Sequence, residues 1–464
     1  MFKKADIPGD KLYPVIPSQN AMYLMYKFGL HKQQAQIPTS ITVNEKLDFG
    51  ILQRAFLIEI ERNDCLRLHF IKKDGELRQY FGGAYSKTVP VKYFFSVEDQ
   101  ESFFSADAPK TVKFMKDETF RIYFFRTAHE GSGIYTNFSH MITDAMGIMI
   151  FYIDLLNVYN ALLNDTPLPP PLHKYEEYII KEIENAENEA KNAKHEAFYR
   201  EYFSEGGAPF YAGVHGSGLL EEFRRKKKDP DARVPMAYNP LFDKCDMEVL
   251  SVSSEDVRKI YDYCEKVQIS PESVFQAGYR TYCSAINFRT EDVCMMAVCS
   301  NRKTFKEKSM SGCMAQPLIL RSIISEDASF DDAVHKLADI RTSLYRHSTY
   351  PYTKARDMFL DMFSLGPIQG ANNMMFSWIP LPPDEYLPFK IDFRTYNLER
   401  YFTPLYTIIV PDSKTDGIRI YYMYRTKLST REQIERLHTQ SLKIIMQGIK
   451  NPDKKISELM DNVN

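Results

Sequence analysis

The sequence predicts a mixed α/β protein built in two halves. Three observations carry this. Strand-like and helix-like apolar periods alternate through the first third of the chain. A proline cluster at 167–171, followed by a long charged helical segment, then interrupts the pattern. The mixed pattern resumes from about residue 270 and runs to the end.

The elements follow in order. In 47–63 (LDFGILQRAFLIEIERN), Leu52, Ala55, Phe56 and Ile60 share one helical face. Strand-like runs come next at 66–71, 89–95 and 119–127. FRIYFFRTA and GIYTNFSHM predict a hairpin, because HEGSG at their junction supplies turn residues. The second strand feeds a short loop, Ile142-Thr143-Asp144, and then a helix over 146–163. Pro167, Pro169, Pro170 and Pro171 cannot continue that helix and predict a stiff connector. The segment 175–203 is helical but polar on most faces, as expected of a helix that bridges or lies on the surface. An irregular stretch, 206–240, separates the halves and contains the basic run Arg224-Arg225-Lys226-Lys227-Lys228.

In the second half, Ser270-Pro271-Glu272 opens a helix reaching about residue 286, with Pro at its first position. A strand is expected at 292–299, a helix at 331–345 and a strand at 373–379. The runs 406–410 and 417–424 predict a hairpin across PDSKTD. Ser429-Thr430-Arg431-Glu432 reads as a capping box that starts the last helix, with Ile434, Leu437 and Ile445 facing inward. The expected boundary divides 1–175 from 176–464.

Composition narrows the function classes. The 464 residues include 59 Lys+Arg and 61 Asp+Glu, a formal net charge of −2. That balance argues against a dedicated nucleic-acid binder, which needs a basic excess. It argues equally against an acidic disordered chain. The 31 Phe, 30 Tyr and 20 Met, against one Trp (Trp378), suit either a large aromatic core or an adaptable apolar channel for a long ligand. The seven Cys form no CxxC pair and no zinc-ligand spacing. They are expected to be reduced, mostly buried thiols of a cytoplasmic protein, with no metal bound. The N-terminal MFKKADIPGDKLYPVIP lacks an apolar stretch of signal length. The most apolar window, 146–163, is broken by Asp154, Asn157 and Asn160, so an amphipathic helix is expected rather than a membrane span.

The chain has no GxGxxG after a strand, no P-loop, no HExxH and no GxSxG. What remains is Ser139-His140-Met141-Ile142-Thr143-Asp144-Ala145-Met146-Gly147. A His four residues before an Asp occurs twice, as His140/Asp144 and His335/Asp339. The second pair lies inside an amphipathic helical pattern, where His335 reads as a surface or boundary residue. The first lies where a strand ends and a helix begins, a place where mixed folds put reactive groups. Two readings stay open there. Asp144 can be only a helix N-cap and His140 a satisfied boundary residue. Alternatively, His140 takes a proton from a hydroxyl or amine near neutral pH, while Asp144 fixes the loop by pairing with an arginine.

The block resembles the HHxxxDG signature of the chloramphenicol acetyltransferase-like acyltransferases, above all the condensation domains of nonribosomal peptide synthetases. Other blocks accompany it in order. Tyr13-Pro14 with Pro17-Ser18-Gln19 is similar to the opening YPLSPxQ. Arg62-Asn63-Asp64-Cys65-Leu66-Arg67-Leu68-His69-Phe70 resembles RHExLRTxF, with Asn63 and Asp64 at its His and Glu. Asn301-Arg302-Lys303 and 312–321 (GCMAQPLILR) resemble the late GRP and GxFVNTLPLR segments. The resemblance covers nearly the whole chain. Further departures are Ser139 at the first His, Ala145 at the Gly after the Asp, and Gln316 at the late Asn.

The resemblance implies two chloramphenicol acetyltransferase-like subdomains in a V shape with a channel between them. It implies an HxxxD acyltransferase moving an acyl group from a coenzyme A or carrier-protein thioester to an alcohol or amine. His140 would be the general base and Asp144 structural, paired with Arg67 or Arg302. Ser139 and Gln316 would face substrate. No tightly bound cofactor is implied; acyl-coenzyme A or a phosphopantetheine-carried acyl group would be the donor substrate. The implied partners are a small-molecule acceptor and an acyl or peptidyl carrier protein. The basic run at 224–228 reads as a solvated loop, or as a docking spot for coenzyme A phosphates or an acidic carrier protein. Two rivals remain open: a catalytically silent module that binds a carrier protein or partner, and a thioester hydrolase with water as acceptor.

Overall fold

Asp48 starts the first long helix, Phe49–Arg62, by accepting hydrogen bonds from the N–H groups of Gly50 at 2.8 Å and Ile51 at 3.0 Å. Its buried stripe contains Leu52, Ala55, Phe56 and Ile60, as the spacing predicts, but also Glu59. The computed structural model describes residues 11–29, 31–83, 87–116, 119–236, 244–380, 387–401 and 403–463. The first ten residues, which belong to the stretch read above as lacking a signal, lie outside these, as does 237–240 of the irregular segment.

The strands in chain order are β1 (Tyr13–Pro14), β2 (Gln36–Val43), β3 (Leu68–Lys73), β4 (Glu76–Phe81), β5 (Val91–Phe94), β6 (Phe120–Thr127) and β7 (Gly131–Ser139). There follow β8 (Cys245–Val252), β9 (Asp292–Cys299), β10 (Gln316–Ile323), β11 (Met375–Trp378), β12 (Ile391–Thr395), β13 (Leu405–Asp412) and β14 (Gly417–Arg425). The chain forms two compact units. One gathers the described residues of Met1–Glu189, Ser300–Ala315 and Pro380–Glu399; the other holds those of Ala190–Cys299, Gln316–Ile379 and Arg400–Asn464. A single cut at 175 therefore does not describe the units. Strand β12, from the second half of the sequence, pairs antiparallel with β2 of the first unit. The segment 300–315 joins that unit through Arg302.

The first unit has a sheet of order β12-β2-β7-β6-β5 and a small sheet β1-β4-β3. The second unit has one sheet of order β10-β9-β11-β13-β14-β8. The two larger sheets share a pattern. From β2 through β7 and β6 to β5 the pairings run antiparallel, antiparallel, parallel. From β8 through β14 and β13 to β11 they run the same way. In each unit the first strand of this set leads to a helix, Phe49–Arg62 or Ser254–Val267. In each, the hairpin also leads to a long helix, Ala145–Leu163 or Arg431–Lys450. The repeat places His140, four residues before the N-cap Asp144, in register with Thr426, four residues before the N-cap Thr430. The second unit thus has no imidazole at that position.

Several local expectations need correction. The charged segment is two helices, Tyr175–Glu187 and Glu189–Ser204, broken at Asn188. The basic run is not a loop: it closes the helix Gly218–Lys227, with Lys228 left-handed (φ 55°) as its C-cap. Four cations in a last turn suit the negative end of the helix dipole. The last helix is capped one residue later than read, by Thr430 and Gln433. Ser429 instead bonds through its hydroxyl to Nε2 of His215 at 2.6 Å.

Helix Ala145–Leu163 has the length and apolarity of a membrane span, but most of it is buried. The aromatic excess fills cores: Phe104 stacks on Tyr135 with ring centres 4.2 Å apart, and Phe56 meets Phe120, Phe124 and Phe151 edge-on. All seven cysteines are buried, and none is joined in a disulfide.

Candidate active site

Strand β7 ends at Ser139, opposite Gln36 of β2. The chain then turns sharply. His140 N–H donates to the Ala35 carbonyl at 2.8 Å, and Ile142 N–H to the Ser139 carbonyl at 3.1 Å. Ser139 is buried, and its hydroxyl accepts from Met141 N–H at 3.3 Å. The turn delivers Asp144 to the start of the next helix, where Oδ1 accepts from Gly147 N–H at 2.8 Å. His140 is therefore held between a strand end and a capped helix.

Asp144 does more than cap. Its Oδ2 accepts from Arg302 Nη1 at 2.9 Å, from Met314 N–H at 2.9 Å and from Ala315 N–H at 2.8 Å. Burial pushes this carboxyl upward, but the Arg302 guanidinium and the N–H groups of Gly147 and Met314 outweigh it. Asp144 thus titrates below the ordinary carboxylate range and stays ionised. Arg302 is equally committed: Nε donates to the Met310 carbonyl at 3.2 Å, Nη1 also to Ser300 at 3.2 Å, and Nη2 to Gly312 at 3.1 Å. Of the two arginines expected beside Asp144, Arg302 makes the pair. Arg67 lies in the turn Asp64–Arg67, where its carbonyl accepts from Gly82 N–H at 2.6 Å.

His140 itself is half-buried. Burial lowers its pKa, against the raising effects of Asp144 and of the His140 and Thr143 backbone. The imidazole is therefore neutral at neutral pH, the state that can accept a proton. Its Nδ1 lies 3.8 Å from the Sγ of Cys313. The Cys313 carbonyl is clamped twice, by the hydroxyls of Ser18 at 2.7 Å and Tyr175 at 2.8 Å. Two close backbone approaches tighten the same region. A Cβ on Gly147 would lie 2.9 Å from the Gly312 nitrogen. Gly312 itself has φ +130°, and its face lies against the Tyr175 ring. Ala145, by contrast, carries no left-handed backbone angle, so this position does not need glycine.

Sequence reasoning gave no role to Ser18, Gln19, Tyr175 or Cys313. Gln19 Nε2 donates to the Met141 carbonyl at 3.0 Å, directly after His140, and to Gln79 Oε1 at 2.7 Å. Gln79 in turn donates to the Pro14 carbonyl at 2.8 Å. The Tyr-Pro and Pro-Ser-Gln blocks near the N-terminus thus brace the histidine loop. Their signal was visible only as a resemblance. Asp64 accepts from the N–H groups of Tyr175 at 2.9 Å and Glu176 at 3.2 Å, setting the helix that carries Tyr175.

Gln316 is not brought into this network; it opens β10 in the other unit. There its Nε2 donates to the carbonyls of Ser348 and Tyr350, and its Oε1 accepts from Tyr352 N–H at 3.1 Å. His335, the other spacing match, is exposed and pairs back to Asp331 rather than forward to Asp339. Among the described residues, no group of three His, Cys, Asp or Glu is placed to hold a metal ion.

Surfactin synthase subunit 1 of Bacillus subtilis (strain 168) is 22% identical over 465 residues, covering 96% of this chain and 12% of that protein. Surfactin synthase subunit 2 of the same organism is 20% identical over 460 residues, covering 98% of this chain and 12% of that protein. The chain thus spans 12% of the length of either relative. Among solved structures, the first condensation domain of the CDA synthetase matches with a TM-score of 0.77 at 14% identity, over 97% of this chain and 98% of that one. A variant starter condensation domain of rhizomide synthetase, in complex with C8-CoA and Leu-SNAC, matches with a TM-score of 0.80 at 15% identity. That match covers 98% of this chain and 97% of the other. The chain has the fold of these domains. Because the Condensation domain family model matches residues 10–462, the chain belongs to the condensation-domain family.

Proposed function

We propose that this chain transfers an acyl group from a thioester to an amine or alcohol, with His140 as general base. The observation that carries the reading is the neutral, half-buried imidazole beside an aspartate whose two oxygens are held by Arg302 and backbone N–H groups. Such an aspartate fixes geometry and leaves the imidazole as the proton acceptor. His140 takes the proton from the acceptor N–H or O–H as its lone pair attacks the thioester carbonyl. The new C–N or C–O bond forms, the C–S bond breaks, and the proton passes to the departing thiolate. General-base action of this kind is worth ~10²–10⁴-fold.

The donor is an acyl group on coenzyme A or on the phosphopantetheine of a carrier protein, and no resident cofactor is needed. The neighbour bound to C8-CoA and Leu-SNAC supports a thioester donor meeting an aminoacyl acceptor. The relatives, being synthases, support a role in natural-product assembly. One observation favours a second reading, a silent module that binds a carrier protein. The family pattern's first His is Ser139 here, and that hydroxyl is buried and bonded to the turn.

The test is to offer acyl-coenzyme A and acyl-carrier-protein donors with amine and alcohol acceptors, following thiol release and product mass. Acyl-acceptor product that falls at least ~10²-fold in His140→Ala supports catalysis. Undiminished turnover in that variant removes the base role. Free acid as the main product means hydrolysis. Carrier binding with no thiol release from any donor means the silent module.

A further inference from the structure

Arg280 lies on helix Pro271–Ala285 of the second unit and is completely buried. Its Nη2 donates to the Glu291 carbonyl at 2.6 Å, just before β9, and to the Ile324 carbonyl at 2.9 Å, just after β10. Ile324 N–H donates to the same Glu291 carbonyl at 3.0 Å. The guanidinium thus closes the corner where the β9–β10 pair ends. Its other two nitrogens, Nε and Nη1, are buried as well, and among the described residues neither has a hydrogen-bond partner. Most of the N–H donors of this side chain therefore meet no acceptor, which is costly for a buried group.

The charge is unbalanced too. Both partners of Arg280 are backbone carbonyls, and the Glu291 side chain is exposed. The buried carboxylate of this region, Asp292, is taken by Arg321, with Oδ1 accepting from Nε at 2.9 Å and Oδ2 from Nη2 at 2.7 Å. Two buried guanidiniums therefore share one carboxylate. Arg280 cannot escape by losing its proton: burial lowers its pKa only to about 10, so it is cationic at neutral pH. A buried charge needs a counter-charge or a large desolvation penalty is left standing.

We propose that Arg280 binds one small monovalent anion of the halide class, held against its unpartnered Nε or Nη1 donors at the end of the β9–β10 pair. A halide needs only N–H donors and brings the single negative charge that is missing. Phosphate or sulfate would bring more oxygens than these donors satisfy and more charge than one guanidinium balances. A water shared with Oε1 of Gln276, which is also unpartnered one turn earlier on the helix, would satisfy a donor but leave the charge. The site is structural and belongs to the unit that does not carry His140. Its test therefore needs no acyl donor or acceptor.

Thermal unfolding of the full chain is compared in sodium chloride and sodium gluconate at equal ionic strength, so that screening of surface charges is the same in both. Chloride is expected to raise the Tm of the parent by ~2–4 °C and to saturate with concentration, as a ligand of the folded state does. Arg280→Gln keeps a donor for the corner carbonyls and removes the charge. It is expected to lose the saturable gain, whereas anions bound elsewhere on the surface would raise the Tm of both proteins alike. If Arg280→Gln does not fold, crystals of the parent grown in bromide decide, with an anomalous peak expected within hydrogen-bonding distance of Nε or Nη1. No saturable chloride gain in the parent, an equal gain in Arg280→Gln, or bromide crystals without a peak at Arg280 would overturn the site.

Discussion

Asp144 and Arg302 lie 158 positions apart in sequence, yet Oδ2 of one accepts from Nη1 of the other at 2.9 Å with both side chains almost fully buried. Breaking such a pair leaves an uncompensated charge in a low-dielectric site, at a cost of ~3–5 kcal/mol. Asp144→Asn keeps the side-chain shape but removes the charge, and should lose stability on that scale in chemical denaturation. The pH dependence has a definite sign. The folded pKa lies below the unfolded value near ~3.9. The stabilisation is thus fully present above that value and is lost as pH falls through the folded pKa. Asp144→Asn should therefore flatten the acid limb of the stability profile. A loss below ~1 kcal/mol would mean the pair is not holding the loop.

The state of His140 sets the pH profile of the reaction. Burial lowers its pKa from the ordinary ~6.5, so the base form persists into mildly acidic solution. With an active thioester pair, kcat/KM should stay level as pH is brought down through ~6.5 and decline only below it. A decline centred above ~7 would show that another group limits the rate.

How much of this was readable depends on sequence distance. The block from Ser139 to Gly147 is local, so strand, turn, cap and helix could be read from adjacent residues. Glu59 was missed although its neighbours Leu52, Phe56 and Ile60 were read as core, because a helical period marks a buried face and assigns no protonation state. Cys313 and Ser18 meet across 295 positions, and no periodicity reports such a contact. The exchange of β12 into the first unit is invisible for the same reason: its partner β2 lies near the other end of the chain. The last helix shows a different limit. Ser429 and Thr430 both suit an N-cap, with Glu432 and Gln433 each three residues on. The competing bond from Ser429 to His215 accompanies the choice of Thr430.

Gly147 is a sharper constraint than the position after Asp144. A Cβ there would lie 2.3 Å from Thr143 Oγ1 and 2.9 Å from the Gly312 nitrogen. The backbone of 312–315 cannot yield without disturbing the N–H groups that hold Asp144. Gly147→Ala should therefore destabilise by ~1–3 kcal/mol, the range for overpacking. Ala145→Gly should change stability by less than ~1 kcal/mol, since Ala sits there without strain. Thermal unfolding of the two variants tests this ordering, and equal effects would contradict it.

Glu59 supplies the opposite pH signature from Asp144. It is fully buried in helix Phe49–Arg62, with Oε1 accepting from Asn63 Nδ2 at 3.0 Å. Burial raises its pKa well above the ordinary range, and the neighbouring Asp154 carboxylate raises it further. Asp154 holds the Arg62 guanidinium, accepting from Nε at 2.7 Å and Nη2 at 2.9 Å. One cation between two carboxyls leaves Glu59 carrying a proton. The unfolded chain releases that proton above ~4.3, whereas the folded chain keeps it. The contribution is therefore fully present below the unfolded value and is lost as pH rises through the folded one. Glu59→Gln keeps a neutral hydrogen-bonding side chain and removes this slope. Urea denaturation should find the two proteins similar near pH ~4, with the variant gaining on the parent toward pH ~8 by up to ~1.4 kcal/mol for each unit of pKa separation. Parallel profiles would mean that Glu59 ionises in the folded protein, and a parent that gained on the variant would reverse the assignment.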